Sequence, residues 1–203
     1  MKLPIPLLLL CFLSTNLKAQ KRQKEFSLAV MNVQSAMPFG KFAGMFSGHF
    51  HPGAEAGIGF NWKTRAKHDW FQEIKAGYFF HRFVQHGIPI YTNIGYRYKF
   101  SSRFSSKIIL GAGYLHSIPA TAKLKLNDKG EYINGKSIGR MQAMAITGLG
   151  VSYKIKTKTR PITVFAQYQL LAQLPFIKSY VPLLPYDCFE VGISHALISK
   201  KSK

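Results

Sequence analysis

The chain has 203 residues, of which 28 are Lys or Arg and only 8 are Asp or Glu, so its formal net charge is +20. Apolar residues make up 47% and aromatic residues 14% of the sequence, which is too hydrophobic for a disordered polycation, and the length suits a single domain. Charged residues, at 18%, fall below the roughly 25% that is typical of soluble domains, and this argues against an ordinary cytosolic enzyme.

Residues 1–19 predict a secretory signal peptide. Lys2 precedes an apolar run from Leu3 to Leu13, and Ala19 offers a small residue at a cleavage site. The run is shorter than the roughly 20 residues that a membrane-spanning helix needs. We therefore expect residues 20–203 to form the exported domain, in which Cys188 is the one remaining cysteine and has no intramolecular disulfide partner.

The exported domain repeats a segment in which apolar and polar side chains alternate. Ile90, Ile94 and Tyr96, for example, share one parity, while Asn93 and Arg97 share the other. Alternation with period two predicts a strand with two unlike faces. We count eight such segments, at 26–33, 53–62, 70–81, 88–100, 107–114, 142–153, 162–170 and 189–197.

The connections between these segments alternate in length. Short basic turns are predicted at 63–68, 101–105 and 156–160, and longer loops at 34–51, 117–139 and 173–187. The connection at 83–87 is short where the alternation calls for a long one. Short turns at one end and longer loops at the other, around an even number of antiparallel strands, are typical of an outer-membrane barrel.

In this pattern the chain resembles the small outer-membrane β-barrel proteins of Gram-negative bacteria. The resemblance covers residues 26–199 and implies an all-β, eight-stranded, antiparallel up-and-down transmembrane barrel with porin-like architecture and both termini in the periplasm. It implies outer-membrane lipid and lipopolysaccharide as surroundings, and an exported protein is not expected to bind nucleic acid. The tail from Ser199 to Lys203 departs from the terminal aromatic residue common in such proteins.

A soluble lipocalin-like barrel is the main architectural alternative, because it also alternates but places its apolar residues inside. The polar parity combines charged and amide side chains with many glycines. The polar side chains are too few, and the glycines too small, to coat the surface of a soluble barrel. We therefore expect this parity to fill a narrow lumen with paired charges. The predicted lumen network consists of Glu55, Glu73, Lys75, Arg97, Gln167, Gln169 and Glu190.

Aromatic residues predict two girdles at the membrane interfaces. The girdle near the basic turns would consist of Trp62, Trp70, Tyr98, Phe100 and Tyr153, and the opposite girdle of Phe80, Tyr114 and Phe189.

Two long loops offer candidate surfaces. The segment 122–133 contains an Asn-Asp-Lys-Gly turn and predicts a hairpin beyond the membrane. The segment 174–186 is rich in Pro and apolar residues, and it is either a surface for another envelope protein or a lid over the barrel mouth. Its candidate partner residues are Phe176, Tyr180, Leu183, Leu184 and Tyr186.

These observations predict a structural or protein-interaction role without catalysis and without a general pore, because eight strands leave an interior only wide enough for side chains. The alternative is a lipid A acyl hydrolase, with His116-Ser117, Ser194-His195 or His81 as candidates. Ser194 and His195 point to opposite faces in a regular strand, whereas His116-Ser117 is placed at a freer junction between strand and loop. His49 and His51 lack further ligands for a metal, and no cofactor motif is present.

Overall fold

The computed structural model describes residues 24–36, 48–121, 123–126, 130–135, 138–155, 161–176 and 182–197. Eight long strands close into one barrel, and a short two-stranded hairpin lies apart from it. In chain order the strands are β1 (Lys24–Ser35), β2 (Pro52–Thr64), β3 (His68–His81), β4 (Gln85–Lys99), β5 (Phe104–Pro119), β6 (Lys123–Leu126), β7 (Tyr132–Gly135), β8 (Arg140–Ile155), β9 (Ile162–Leu174) and β10 (Leu184–Leu197).

Every barrel strand pairs antiparallel with the barrel strands that precede and follow it along the chain, and β1 pairs with β10 to close the ring. Closure satisfies the hydrogen-bonding groups that an open sheet would leave along two edges. The start of β1 and the end of β10 lie at the same end as the turns Arg65–Lys67 and Phe100–Arg103. We name this the short-turn end and its opposite the long-loop end.

The predicted fold class, an eight-stranded antiparallel transmembrane barrel, is confirmed. Large apolar side chains project outward from all eight strands and remain exposed, which is the reverse of a lipocalin-like barrel. They include Leu28, Val30, Ile58, Ile74, Ile90, Ile94, Ile108, Leu110, Leu149, Val151, Leu170, Val191 and Ile193. At the short-turn end Trp62, Trp70, Phe100 and Tyr153 are exposed, as predicted for a girdle, while Tyr98 is half-buried. No helix among the described residues is long and apolar enough to cross a membrane.

The connections follow the predicted alternation, including its exception. The turn between β3 and β4 spans only Arg82–Val84, and β6 pairs with β7 as the expected hairpin within the loop after β5. β10 begins at Leu184 rather than near residue 189, so the last long loop is shorter than predicted. The early part of β10 is buried at consecutive positions, and this hides the alternation that would have marked it as strand. The signal peptide, the turn 156–160 and the C-terminal tail lie outside the described residues.

The lumen is only partly polar, which corrects the sequence interpretation. Towards the long-loop end the interior contains an apolar cluster, beside buried amide and histidine side chains. Its buried side chains are Met31, Val33, Phe79, Leu115, Met144, Leu171, Leu184, Tyr186 and Cys188. The polar parity of β3 already contained this information, because Phe71 and Phe79 share it with Glu73 and Lys75.

A glycine on β4 creates the space for one of these interior rings. A Cβ atom added to Gly95 would lie 2.2 Å from Cζ of Phe71, whereas one added to Gly59 would lie 3.7 Å from its nearest neighbour. We expect Gly95→Ala to lower the free energy of unfolding by about 1–3 kcal/mol through overpacking. We expect Gly59→Ala to change it little, and urea titrations of the two variants in the same vesicles make the comparison. Equal stabilities would contradict this packing.

Candidate functional site

An ion-pair cluster occupies the middle of the barrel interior. The Lys75 ammonium group on β3 lies 2.8 Å from Oε1 of Glu190 on β10 and also pairs with Glu55 on β2. Tyr91 donates a hydrogen bond to Glu55 Oε2 over 2.5 Å, and Gln169 donates to Glu190. The side chains of the three charged residues are at most 3% exposed. Two carboxylates thus share one cation, and neutral donors complete their hydrogen bonding.

A second group of charges lies next to this central cluster, closer to the short-turn end. Lys107 Nζ lies 3.3 Å from Glu73 Oε1 and sits over the rings of Phe71 and Phe165, at 5.7 Å and 5.0 Å from their centroids. Gln167 is also buried in the lumen, and its side-chain amide has no hydrogen-bond partner among the described residues.

At the short-turn end the lumen widens into a cavity of about 570 Å³, which we call the vestibule. Arg97 lies in its wall, with guanidinium nitrogens 3.3 Å and 3.4 Å from the carboxylate oxygens of Glu25. Asp69 accepts a hydrogen bond of 2.7 Å from Lys99 and lies 4.0 Å from Arg97. The vestibule therefore holds its own charge network, open to water.

Beyond the central cluster, buried side chains pack across the lumen. One void between the charged and apolar layers measures about 10 Å³, which is room for no more than one water molecule. Three amide side chains then form a layer across the lumen, in which Gln85 donates to Gln173 over 2.8 Å and Gln173 donates to Gln142 over 2.6 Å. Among the described residues, these side chains lie between the vestibule and the long-loop end.

Two histidines stack at the long-loop end. The rings of His51 and His81 are parallel to within 8°, with centroids 3.8 Å apart. The backbone N–H of His51 donates to Asn32 Oδ1 over 2.9 Å. Burial, together with the nearby charges of His49 and Arg82, lowers the pKa of the His51 imidazole. The lowered pKa favours the neutral imidazole, which can stack on the His81 ring without charge repulsion. Among the described residues no group of three or more His, Cys, Asp or Glu side chains could hold a metal ion.

Part of the proposed partner loop, the segment 174–186, belongs to barrel strand β10. Leu184 and Tyr186 are buried strand residues, so they cannot contribute to an exposed partner surface. Phe176 packs against the apolar interior, and its carbonyl oxygen accepts a hydrogen bond of 3.0 Å from Arg140. Leu183 is half-buried. Tyr180 lies outside the described residues. The described part of this segment therefore packs against the barrel interior at the long-loop end.

The candidate catalytic pair His116-Ser117 does not lie at a strand-to-loop junction, because β5 continues to Pro119. The two side chains consequently point to opposite faces of the sheet. The ring nitrogens of His116 lie 2.9 Å from the Tyr114 hydroxyl and 2.9 Å from the carbonyl oxygen of Ile138. Ser194 and His195 also lie within regular strand, and His81 belongs to the histidine stack.

The structure therefore brings four of the seven predicted network residues into direct contact, namely Glu55, Lys75, Gln169 and Glu190. Glu73 and Arg97 belong instead to neighbouring networks whose other members were not predicted. The missed residues are Glu25, Asp69, Tyr91, Lys99 and Lys107. Each shares the inward parity of its strand. Glu25 and Asp69 lie one residue before a predicted segment, whereas Tyr91, Lys99 and Lys107 lie within predicted segments, where parity alone would have found them.

No protein-family model and no curated protein matches the sequence. Among solved structures, Neisserial surface protein A (NspA) aligns with a TM-score of 0.51 and 7% identity, over 88% of this chain and 98% of that protein. The outer membrane enzyme PagL aligns with a TM-score of 0.47 and 10% identity, over 84% of this chain and 97% of that one. Ail, the attachment invasion locus protein of Yersinia pestis, aligns with a TM-score of 0.46 and 12% identity, over 87% of this chain and 97% of that one.

At such low identity the likeness to NspA concerns the fold alone. It agrees with the eight-stranded transmembrane barrel built above from strand register and side-chain orientation. The expected resemblance to small outer-membrane barrels is thus confirmed at the level of architecture.

Proposed function

We propose that this protein is an integral outer-membrane barrel with a structural or protein-interaction role, that its termini lie in the periplasm, and that it neither conducts solutes nor catalyses a reaction. The observation that carries the proposal is the packing of side chains across the interior. Apolar and amide layers follow the ion-pair cluster along the lumen, and one void between the charged and apolar layers measures about 10 Å³. A diffusion pore needs a continuous wet path, and side chains packed across the lumen in this way support the proposal that the barrel has none.

The surface that would meet a partner lies at the long-loop end. Several large apolar side chains near this end are exposed and lie outside the buried apolar cluster. They are Phe50 at 70%, Phe83 at 61%, Tyr132 at 73% and Ile138 at 89%. Exposed apolar side chains outside a membrane-spanning band often mark protein contacts. This set replaces Leu184 and Tyr186 in the proposed interaction surface.

Closure of the lumen can be tested by conductance. Purified protein, folded into planar bilayers and verified by a heat-dependent shift in electrophoretic mobility, should show no steady channel current. Combining Phe79→Ala with Leu171→Ala removes part of the apolar layer. The double variant should show more frequent channel openings, because the Phe79 ring and the Leu171 methyl groups pack inside the lumen there. Steady conductance of the unaltered barrel would contradict a closed lumen.

The interaction role can be tested with a photo-crosslinking amino acid in living cells. Placed at Phe83, at the long-loop end, it should yield a discrete protein adduct. Placed at the exposed Ser102, at the short-turn end, it serves as the matched control and should not yield that adduct. The same adducts from both positions, or none from Phe83, would contradict a partner at the long-loop end.

A further inference from the structure

The charges of the barrel are sorted between its inside and its outside. Five acidic side chains face the lumen or vestibule, where cations pair with them: Glu25, Glu55, Asp69, Glu73 and Glu190. Asp187, which accepts a hydrogen bond from Tyr168, and Glu131 lie towards the long-loop end. The outer surface of the short-turn end therefore has no acidic side chain among the described residues, although it carries several cations.

A β-bulge turns one of these cations towards the outside. The register between β2 and β3 shifts between Asn61 and Lys63, so that Trp62 is the extra residue. Lys63 consequently pairs with Trp70, whose side chain faces outward, instead of following Asn61 into the lumen. Bulges commonly re-aim a side chain in this way. Here the result is a lysine placed on the membrane-facing side, within the aromatic girdle.

Lys63 belongs to an open pocket of about 260 Å³ on the outer surface of the barrel. The pocket is lined by Lys63, Arg65, His68, Trp70 and Tyr96. The rings of Trp70 and Tyr96 lie 5.3 Å apart, and His68 hydrogen-bonds with the Tyr96 hydroxyl, so the aromatic wall is braced. In the described part of the chain, neither the Lys63 ammonium nor the Arg65 guanidinium has a hydrogen-bond or ion-pair partner.

We infer that this pocket binds the phosphate of an anionic glycerophospholipid in the membrane leaflet at the short-turn end. Tryptophan and tyrosine anchor at headgroup depth, which brings lipid phosphates level with Lys63 and Arg65. Guanidinium groups bind phosphate through paired hydrogen bonds. A zwitterionic headgroup would bring its own cation beside these two, whereas phosphatidylglycerol does not. This inference rests on the proposed membrane location.

The chain provides its own reporter for the test. Its only two tryptophans, Trp62 and Trp70, both lie at this rim. The protein is folded into two preparations of phosphatidylcholine vesicles. One contains a small fraction of brominated phosphatidylglycerol and the other the same fraction of brominated phosphatidylcholine. Quenching of tryptophan fluorescence is measured in both. We expect brominated phosphatidylglycerol to associate with this rim at least about fivefold more strongly than brominated phosphatidylcholine. A single Lys or Arg near an anionic lipid surface contributes an attraction of that order. High salt should reduce the preference.

Two double variants separate a site from general attraction. Lys63→Gln with Arg65→Gln should abolish the preference. Lys67→Gln with Arg103→Gln removes the same charge from the same end, but these residues line the vestibule, so the preference should persist. Equal quenching by both lipids in the unaltered protein, or equal loss in both variants, would overturn the site. Failure to insert at all, seen as no quenching and no heat-dependent mobility shift, would instead overturn the membrane location.

Discussion

Lys75→Met should lower the free energy of unfolding of the barrel by about 3–5 kcal/mol, the typical cost of removing one partner from a buried ion pair. The substitution keeps the length of the side chain but leaves Glu55 and Glu190 without their shared cation. Both carboxylates are almost fully buried, so water cannot replace the lost ammonium group. Urea titration in vesicles, followed by tryptophan fluorescence and by electrophoretic mobility, measures the loss.

Two controls show whether burial causes this effect. Lys99→Met also removes a lysine from a lumen ion pair, but the Lys99 side chain is 28% exposed in the open vestibule. The Asp69 carboxylate is only 4% exposed, but Arg97 remains 4.0 Å from it and the vestibule is open to water, so the loss should be smaller, about 1 kcal/mol. Combining Lys75→Met with Glu55→Gln and Glu190→Gln removes the uncompensated charges and should recover most of the stability. If Lys75→Met and Lys99→Met cost the same, the central cluster is not dry.

Ile74→Arg should destabilise the barrel by about 2–4 kcal/mol in a bilayer, the cost of a cation on the lipid-facing side near the membrane midplane. Ile74 lies near the middle of β3, pairs with Ile58 and Thr92 on the neighbouring strands and is 50% exposed. In a soluble barrel the same exposed position would accept arginine at a cost within about 0.5 kcal/mol. The variant therefore distinguishes lipid from water as the medium around the strands.

Phe100→Arg is the matched control for depth. Phe100 is 61% exposed but lies in the turn at the short-turn end, where an arginine should cost only about 0–1 kcal/mol. Unfolding titrations of both variants in the same vesicles give the difference. Equal costs at the two positions would contradict a membrane centred on the middle of the strands.

The sequence by itself determined the strand count, the antiparallel order and which face of each strand is turned inward. In the segment 88–100 apolar and polar residues alternate so regularly that a shift of one residue would expose Asn93 and Arg97 to lipid. The face of a strand residue depends only on its parity, which is local information. The short turn after His81 was also evident, because the second alternating run begins within a few residues.

Only the tertiary structure decided which inward side chains meet. Lys75 and Glu190 are 115 residues apart, and Arg97 and Glu25 are 72 apart. Parity places each of them in the lumen, but their heights along the axis depend on the stagger of all eight strands and on barrel closure. The same applies to the apolar cluster of the interior and to the bulge at Trp62, which reverses the parity of Lys63. Contacts across a closed barrel are set by the register of every strand between them, and no local pattern carries that information.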